Sequence, residues 1–160
     1  MAVSPLIVNN FIDSCAFDPK YEPETSVSNV LFKLSEEQHF GLLIAHSTQK
    51  EIDHPNTPAW VKKQAADLIY SMNVQLTPNE KKLLGDVESI LAGNGKLENI
   101  TQDARNVFEA QKYGGYFVTT DKRILSRAGP LKKRCSVSIL LPSEFLALVK
   151  QHAAGKNYDA

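Results

Sequence analysis

Cysteine is scarce in this chain. Its 160 residues hold only Cys15 and Cys135, too few for a disulfide framework and in no metal-ligand spacing. Each is expected to be a small buried hydrophobe in a reducing compartment. Net charge is missing as well: 18 Lys and Arg balance 18 Asp and Glu, so bulk charge selects no partner. No apolar run approaches the roughly 20 residues that span a bilayer. The start, Met1-Ala2-Val3-Ser4-Pro5, has neither the charged head nor the apolar core of a signal peptide. A soluble, cytoplasmic protein is the expectation. Repeats, linkers and low-complexity tracts are lacking too, so residues 1–154 are expected to form one domain, with a flexible tail over 155–160.

What the chain does have is short apolar runs alternating with helical patterns. Leu6 to Asp13, Phe40 to His46, Tyr116 to Thr120 and Val137 to Leu141 read as strands, the first two apolar enough to be buried on both faces. Between them, Ser26 or Ser28 is expected to cap a helix ending near Gln38, and Ser47 to Glu51 to start a short one. Thr57-Pro58 and Thr77-Pro78-Asn79-Glu80 each begin a helix. Thr101 is expected to cap another, Asp121 to Arg127 to form a short one, and Ser143 to cap the last. The order argues for a three-layer α/β/α fold around a parallel sheet of about four to five strands. Residues 56–96 make a helical excursion between strands two and three.

Four of the acids recur beside the ends of these elements. Asp13 closes the first strand, Glu51 follows the second, Asp103 opens a helical pattern and Asp121 follows the third strand. Residues beyond the carboxyl ends of parallel strands converge on one crevice. Two carboxylates about 5 Å apart repel by roughly 3 kcal/mol at an effective dielectric of 20. A divalent cation among them relieves that repulsion and points to phosphoester chemistry. Each acid also has a plain structural account. Thr48-x-x-Glu51 is a capping box, Asp103 suits a helix dipole, and Asp121 begins a helix that Thr120 could cap. Only Asp13 lacks a helix start immediately after it. Six basic residues, Lys122, Arg123, Arg127, Lys132, Lys133 and Arg134, follow Asp121 closely; they suit a polyanion or form a solvated loop.

Other tempting chemistry is set aside. His46 and His54 stand eight apart, not at the i, i+4 spacing of a helical zinc site. No Gly-rich or Arg-bearing phosphate cradle follows Cys15, so a cysteine phosphatase is not indicated. Asp13-Ser14-Cys15 also lacks the adjacent acid, or Asp-x-Asp pair, of a receiver-type or phosphatase domain. Asp18 and Asp53 read as solvated acids.

Taken together, Phe11-Ile12-Asp13-Ser14, Glu51 in His46–Ile52, Asp103-Ala104-Arg105-Asn106 and Val118-Thr119-Thr120-Asp121-Lys122-Arg123 resemble the PIN-domain ribonucleases over nearly the whole chain. The last block is the most specific: a strand, a hydroxyl residue, one residue, then Asp. The resemblance implies a four-acid site for Mg²⁺ or Mn²⁺, single-stranded RNA as substrate, and a link to toxins of toxin–antitoxin pairs. On that reading Asp13, Asp103 and Asp121 hold the metal, and Glu51 completes the ring directly or through water. Thr119 positions an acid or a water, and Lys122, Arg123 and Arg127 contact the RNA backbone. Asn10 either buttresses the site or packs the strand. The rival reading is a catalytically silent PIN-like module that binds RNA or protein. An antitoxin or a second copy of the chain is a further expected partner.

Overall fold

A computed structural model of the chain describes residues 4–38, 40–45, 76–93, 95 and 100–158. The readings at 46–75, including the Thr48–Glu51 box and the Thr57-Pro58 helix, lie outside the described residues. So do those at His46, Asp53 and His54.

The described residues fold as an α/β protein with a four-stranded sheet in the order β2-β1-β3-β4: β1 Asn9–Asp13, β2 Gly41–Ala45, β3 Tyr116–Val118 and β4 Ser138–Leu140. Every pairing is parallel, with Asp13 opposite Ala45, Ile12 opposite Val118, and Val118 opposite Leu140. The helices are α1 Glu24–Gln38, α2 Pro78–Ala92, α3 Thr101–Tyr113, α4 Lys122–Leu125, α5 Ala128–Cys135 and α6 Pro142–Tyr158. Two 3-10 turns, Ser14–Phe17 and Pro19–Tyr21, follow β1. Asp18 caps the second, accepting from Lys20 N at 3.1 Å.

Side chains along a strand alternate between faces, and here both faces are covered. Phe11, Phe117 and Ile139 pack with Val87 of α2, Val107 of α3, Ile124 of α4 and Leu131 of α5. Ile12, Ile44 and Val118 pack on the other side with Leu31 of α1 and Phe145 and Val149 of α6. Burial on both faces is why the strands read as apolar runs rather than alternating ones. The parity also sorts the polar residues of β1. Asp13 shares the Phe11 face, toward α3 and α4, whereas Asn10 shares the Ile12 face.

Element starts differ from the sequence reading where a neighbour supplies the missing bond. β1 begins at Asn9 rather than Leu6, because Leu6 and Ile7 turn back onto Ser4 and Ile7 is 72% exposed. α1 begins at Glu24, upstream of either serine; the Glu22 carboxylate accepts from Ser26 N and Oγ. Thr77 and Glu80 form the expected capping box at α2. Thr101 is not a cap: buried Ile100 holds that position and Thr101 is the first helical residue. Thr120 does not cap α4 either, because Asp121 does. At α6, Pro142 takes the first helical position, where its missing N–H is no loss. Ser143 instead donates from N and Oγ to Glu24 of α1, at 2.9 and 2.6 Å. The helix continues to Tyr158, into the segment expected to be a tail.

α5 is a helix where a solvated basic loop was one of the two expectations. Leu131 anchors it in the core, and Lys132, Lys133 and Arg134 occupy its last turn, where cations favour the helix dipole. Lys132 donates to Ser138 Oγ at 2.9 Å, and Arg134 pairs with Asp86 of α2 at 2.6 Å. Ser138 opens β4, so these cations lie at the amino end of the sheet, away from Asp13. Among the described residues no helix is long and apolar enough to cross a membrane.

Candidate functional site

β1 and β3 are adjacent, yet the connections from them leave toward opposite edges of the sheet, to β2 and to β4. Such a switch point opens a crevice outside the carboxyl ends of the two strands. The carboxyl end of β1 is Asp13, and the chain leaving β3 is Thr119-Thr120-Asp121. Both therefore reach the same crevice because of strand order, which no local pattern encodes.

Thr119 is the joint. It is fully buried, and its backbone N–H is held by Leu140 O at 2.9 Å. Its hydroxyl donates to Asp13 Oδ2 at 3.1 Å and accepts from the backbone N of Asp121 at 3.0 Å. One donor and one lone pair thus fix a carboxylate on β1 and the corner that carries Asp121. A hydrogen bond to a charged group contributes about 1.5–3 kcal/mol, which helps keep the Asp13 carboxylate, only 2% exposed, in the interior.

Asp121 caps α4, its Oδ1 accepting from Arg123 N at 2.9 Å. The same carboxylate receives the Arg123 side chain in a fork, Nε to Oδ1 at 3.4 Å and a terminal nitrogen to Oδ2 at 3.0 Å. That terminal nitrogen also reaches Asp103 Oδ2 at 3.4 Å. Asp103 is 5% exposed, in the first turn of α3, three residues after the Ile100 cap. The hydrogen bonds and charge of Asp121, then the charges of Asp103 and Asp13, raise the Arg123 pKa above its ordinary value. Three acids distant in sequence therefore act on one guanidinium.

Of the expected site residues, Asp13, Asp103, Asp121 and Thr119 come together, and Glu51 lies outside the described residues. Arg123, expected to face RNA, instead lies between two of the acids. Lys122 is exposed on the same short helix, and Arg127 follows it. Asn10 stands apart: its Nδ2 donates to Pro5 O and Gly41 O, both at 2.8 Å, tying the start of β1 on the opposite face. It is a strand-packing residue, and of its two expected roles the buttress is not the one seen.

Cys15 and Thr120 pair behind Thr119, a contact that the sequence did not indicate. Thr120 donates to Cys15 Sγ at 3.3 Å, and Thr119 Oγ1 is 3.5 Å from the same sulfur. Burial, and then the Asp13 charge, push the Cys15 thiol far above its usual pKa. Burial of this kind disfavours the thiolate form.

Carboxylate and hydroxyl oxygens are the donor types that suit Mg²⁺ or Mn²⁺. Their present spacing is that of a guanidinium complex: among the described residues, no three His, Cys, Asp or Glu side chains meet closely enough to hold a metal ion. The donors thus fit such an ion in kind, with Arg123 supplying the compensating charge. No protein-family model, no curated protein and no solved structure matches the chain.

Proposed function

We propose that the chain is a PIN-like, divalent-metal-dependent endoribonuclease that hydrolyses single-stranded RNA. The observation that supports this reading is Arg123 bridging Asp103 and Asp121 at the β1/β3 switch point, with Asp13 tied to the Asp121 corner through the Thr119 hydroxyl. Isolated caps and surface acids have no reason to gather there. Asp13, Asp103 and Asp121, with Glu51, would hold Mg²⁺ or Mn²⁺, which when bound supplies Lewis-acid activation of the attacking water and charge neutralisation at the phosphate.

The chain's own groups do the rest. Thr119 locks Asp13 in one orientation and sets the Asp121 corner. Arg123 leaves the carboxylates and turns its fork toward the phosphodiester oxygens, while Lys122 and Arg127 hold flanking phosphates in a salt-sensitive, sequence-blind manner. Water adds across one P–O bond, leaving a phosphate end and a hydroxyl end. A toxin role, with an antitoxin as partner, and action as a homodimer belong to the same proposal.

One observation favours the alternative, a silent PIN-like module that binds RNA or protein. The acids are already neutralised by Arg123, as a purely structural ion-pair cluster would be. The deciding experiment is cleavage of single-stranded RNA with Mg²⁺ or Mn²⁺ by the intact protein, Asp13→Asn and Asp121→Asn. Metal-dependent cuts lost in both variants support the nuclease. A folded protein that neither cuts nor binds metal through these carboxylates selects the silent module.

A further inference from the structure

Beside the acid centre lies a cavity of about 240 Å³. Its walls have two chemistries. Leu91 and Ala92 at the end of α2, with Ile100 before α3, make an apolar side; Arg123, Ser126 and Arg127 make a polar, cationic one. Arg127 is positioned by a glycine: its guanidinium lies so close over Gly93 that any Cβ there would strike it, and Gly93 has a φ of 52°. Arg123 belongs to both places, lining the cavity while its terminal nitrogen bonds Asp103 and Asp121. The two sites therefore share a wall.

We propose that this cavity is a nucleotide subsite, taking one nucleoside monophosphate unit of a single-stranded RNA next to the bond that is cut. The inference rests on the nuclease reading and names what lies beside its reacting centre. The volume suits a planar base and its sugar, and the apolar wall accepts a base face without reading its edges. Two guanidiniums on the opposite wall match a phosphate, whose non-bridging oxygens they can bind in forked pairs. Arg123 has its carboxylates, but among the described residues no acid pairs with Arg127, so an uncharged apolar ligand would leave that cation uncompensated, whereas a bare anion would leave the apolar wall exposed to water. A phosphate drawn onto Arg127 also lies near Arg123, and so offers that side chain an alternative to the carboxylates.

The test is methyl NMR on the full chain in EDTA, titrated separately with inorganic phosphate, adenosine, adenosine 5′-monophosphate and uridine 5′-monophosphate. Both monophosphates are expected to shift the Leu91 and Ile100 methyls, and to bind more tightly than phosphate or adenosine alone. Arg127→Ala should weaken the monophosphates about tenfold, the loss expected for one charge-assisted hydrogen bond. Ser126→Glu, which keeps both arginines but adds a negative charge at an exposed site, should do the same. Shifts equal for phosphate and monophosphates, shifts elsewhere, no binding, or indifference to both substitutions would overturn the proposal. Cleavage of RNA without monophosphate binding here would remove the subsite and leave the nuclease. Binding here without cleavage would do the reverse.

Discussion

The hydroxyl of Thr119 joins Asp13 to the corner of Asp121 across 106 positions of sequence, at 3.1 Å to the carboxylate and 3.0 Å from the backbone N–H. Deleting that hydroxyl removes one hydrogen bond from a buried carboxylate and one from a backbone N–H. Thr119→Val keeps the shape and deletes the hydroxyl, and is expected to cost about 1–3 kcal/mol of stability. Chemical denaturation measures that loss. RNA cleavage should fall with it, and Thr119→Ser should restore most of both, because the bonds and not the methyl carry the effect.

In the proposed function, Arg123 and a divalent cation compete for the same carboxylates. Arg123→Gln removes the guanidinium from Asp103 and Asp121 and leaves their mutual repulsion uncompensated. Mn²⁺ followed by electron paramagnetic resonance is expected to bind several-fold more tightly to the variant, while RNA binds more weakly. Unchanged Mn²⁺ affinity would mean that these acids are not the ligands.

Two glutamates make stability depend on pH in opposite senses. Lys112, 2.5 Å from Glu80, together with the Thr77 backbone, lowers the Glu80 pKa below its ordinary 4.5. A depressed carboxyl stabilises the fold above the unfolded value, and that contribution is lost as pH falls through the folded one. Glu80→Gln should therefore flatten the decline of the unfolding midpoint below pH 4.5.

Glu109 is the reverse case. Burial raises its pKa, against the opposing charges of Arg105 and Lys112. The native state then holds the proton more tightly than the unfolded chain, so stability falls as pH rises from the unfolded to the folded value. Glu109→Gln is expected to raise the thermal midpoint at pH 7, with the gain vanishing below about pH 4, where the carboxyl is protonated in both states.

Gly114 is required for space alone. Its φ of −151° suits any residue, but a Cβ there would run into the carbonyl oxygen of Asn9. Gly114→Ala must push the α3–β3 turn off the start of β1, at about 1–3 kcal/mol. Because Asn9 and Asp13 bound the same short strand, metal binding at the crevice should weaken together with the urea midpoint.

Much of the architecture was readable before any coordinates. Four short apolar runs, the first two apolar enough to be buried on both faces, alternate with helical patterns and argue for a parallel sheet, and each strand lies within the expected run. The Thr77-Pro78-Asn79-Glu80 start was equally legible, because a capping box is closed by neighbours in sequence. Legibility failed where the partner came from far away. Ser143 looks like a cap but bonds Glu24, and the basic run after Asp121 looks continuous but divides, with Lys132 and Arg134 at the amino end of the sheet.

The candidate site divides along the same line. That Asp13, Asp103 and Asp121 stand at element ends follows from periodicity, whereas the hydroxyl of Thr119 two residues before Asp121 was singled out by the family resemblance. Which of them meet was decided by the order β2-β1-β3-β4, which sets the ends of β1 and β3 side by side. The pleat then turned Asp13 toward α3 and α4, and Asn10 away from them. The place of Arg123 between Asp103 and Asp121, and of Arg127 over Gly93, was likewise a tertiary matter. The physical reason is range: helix periodicity, strand runs and caps are set within a few residues, whereas the compensation of a buried charge depends on whatever the packed fold brings beside it.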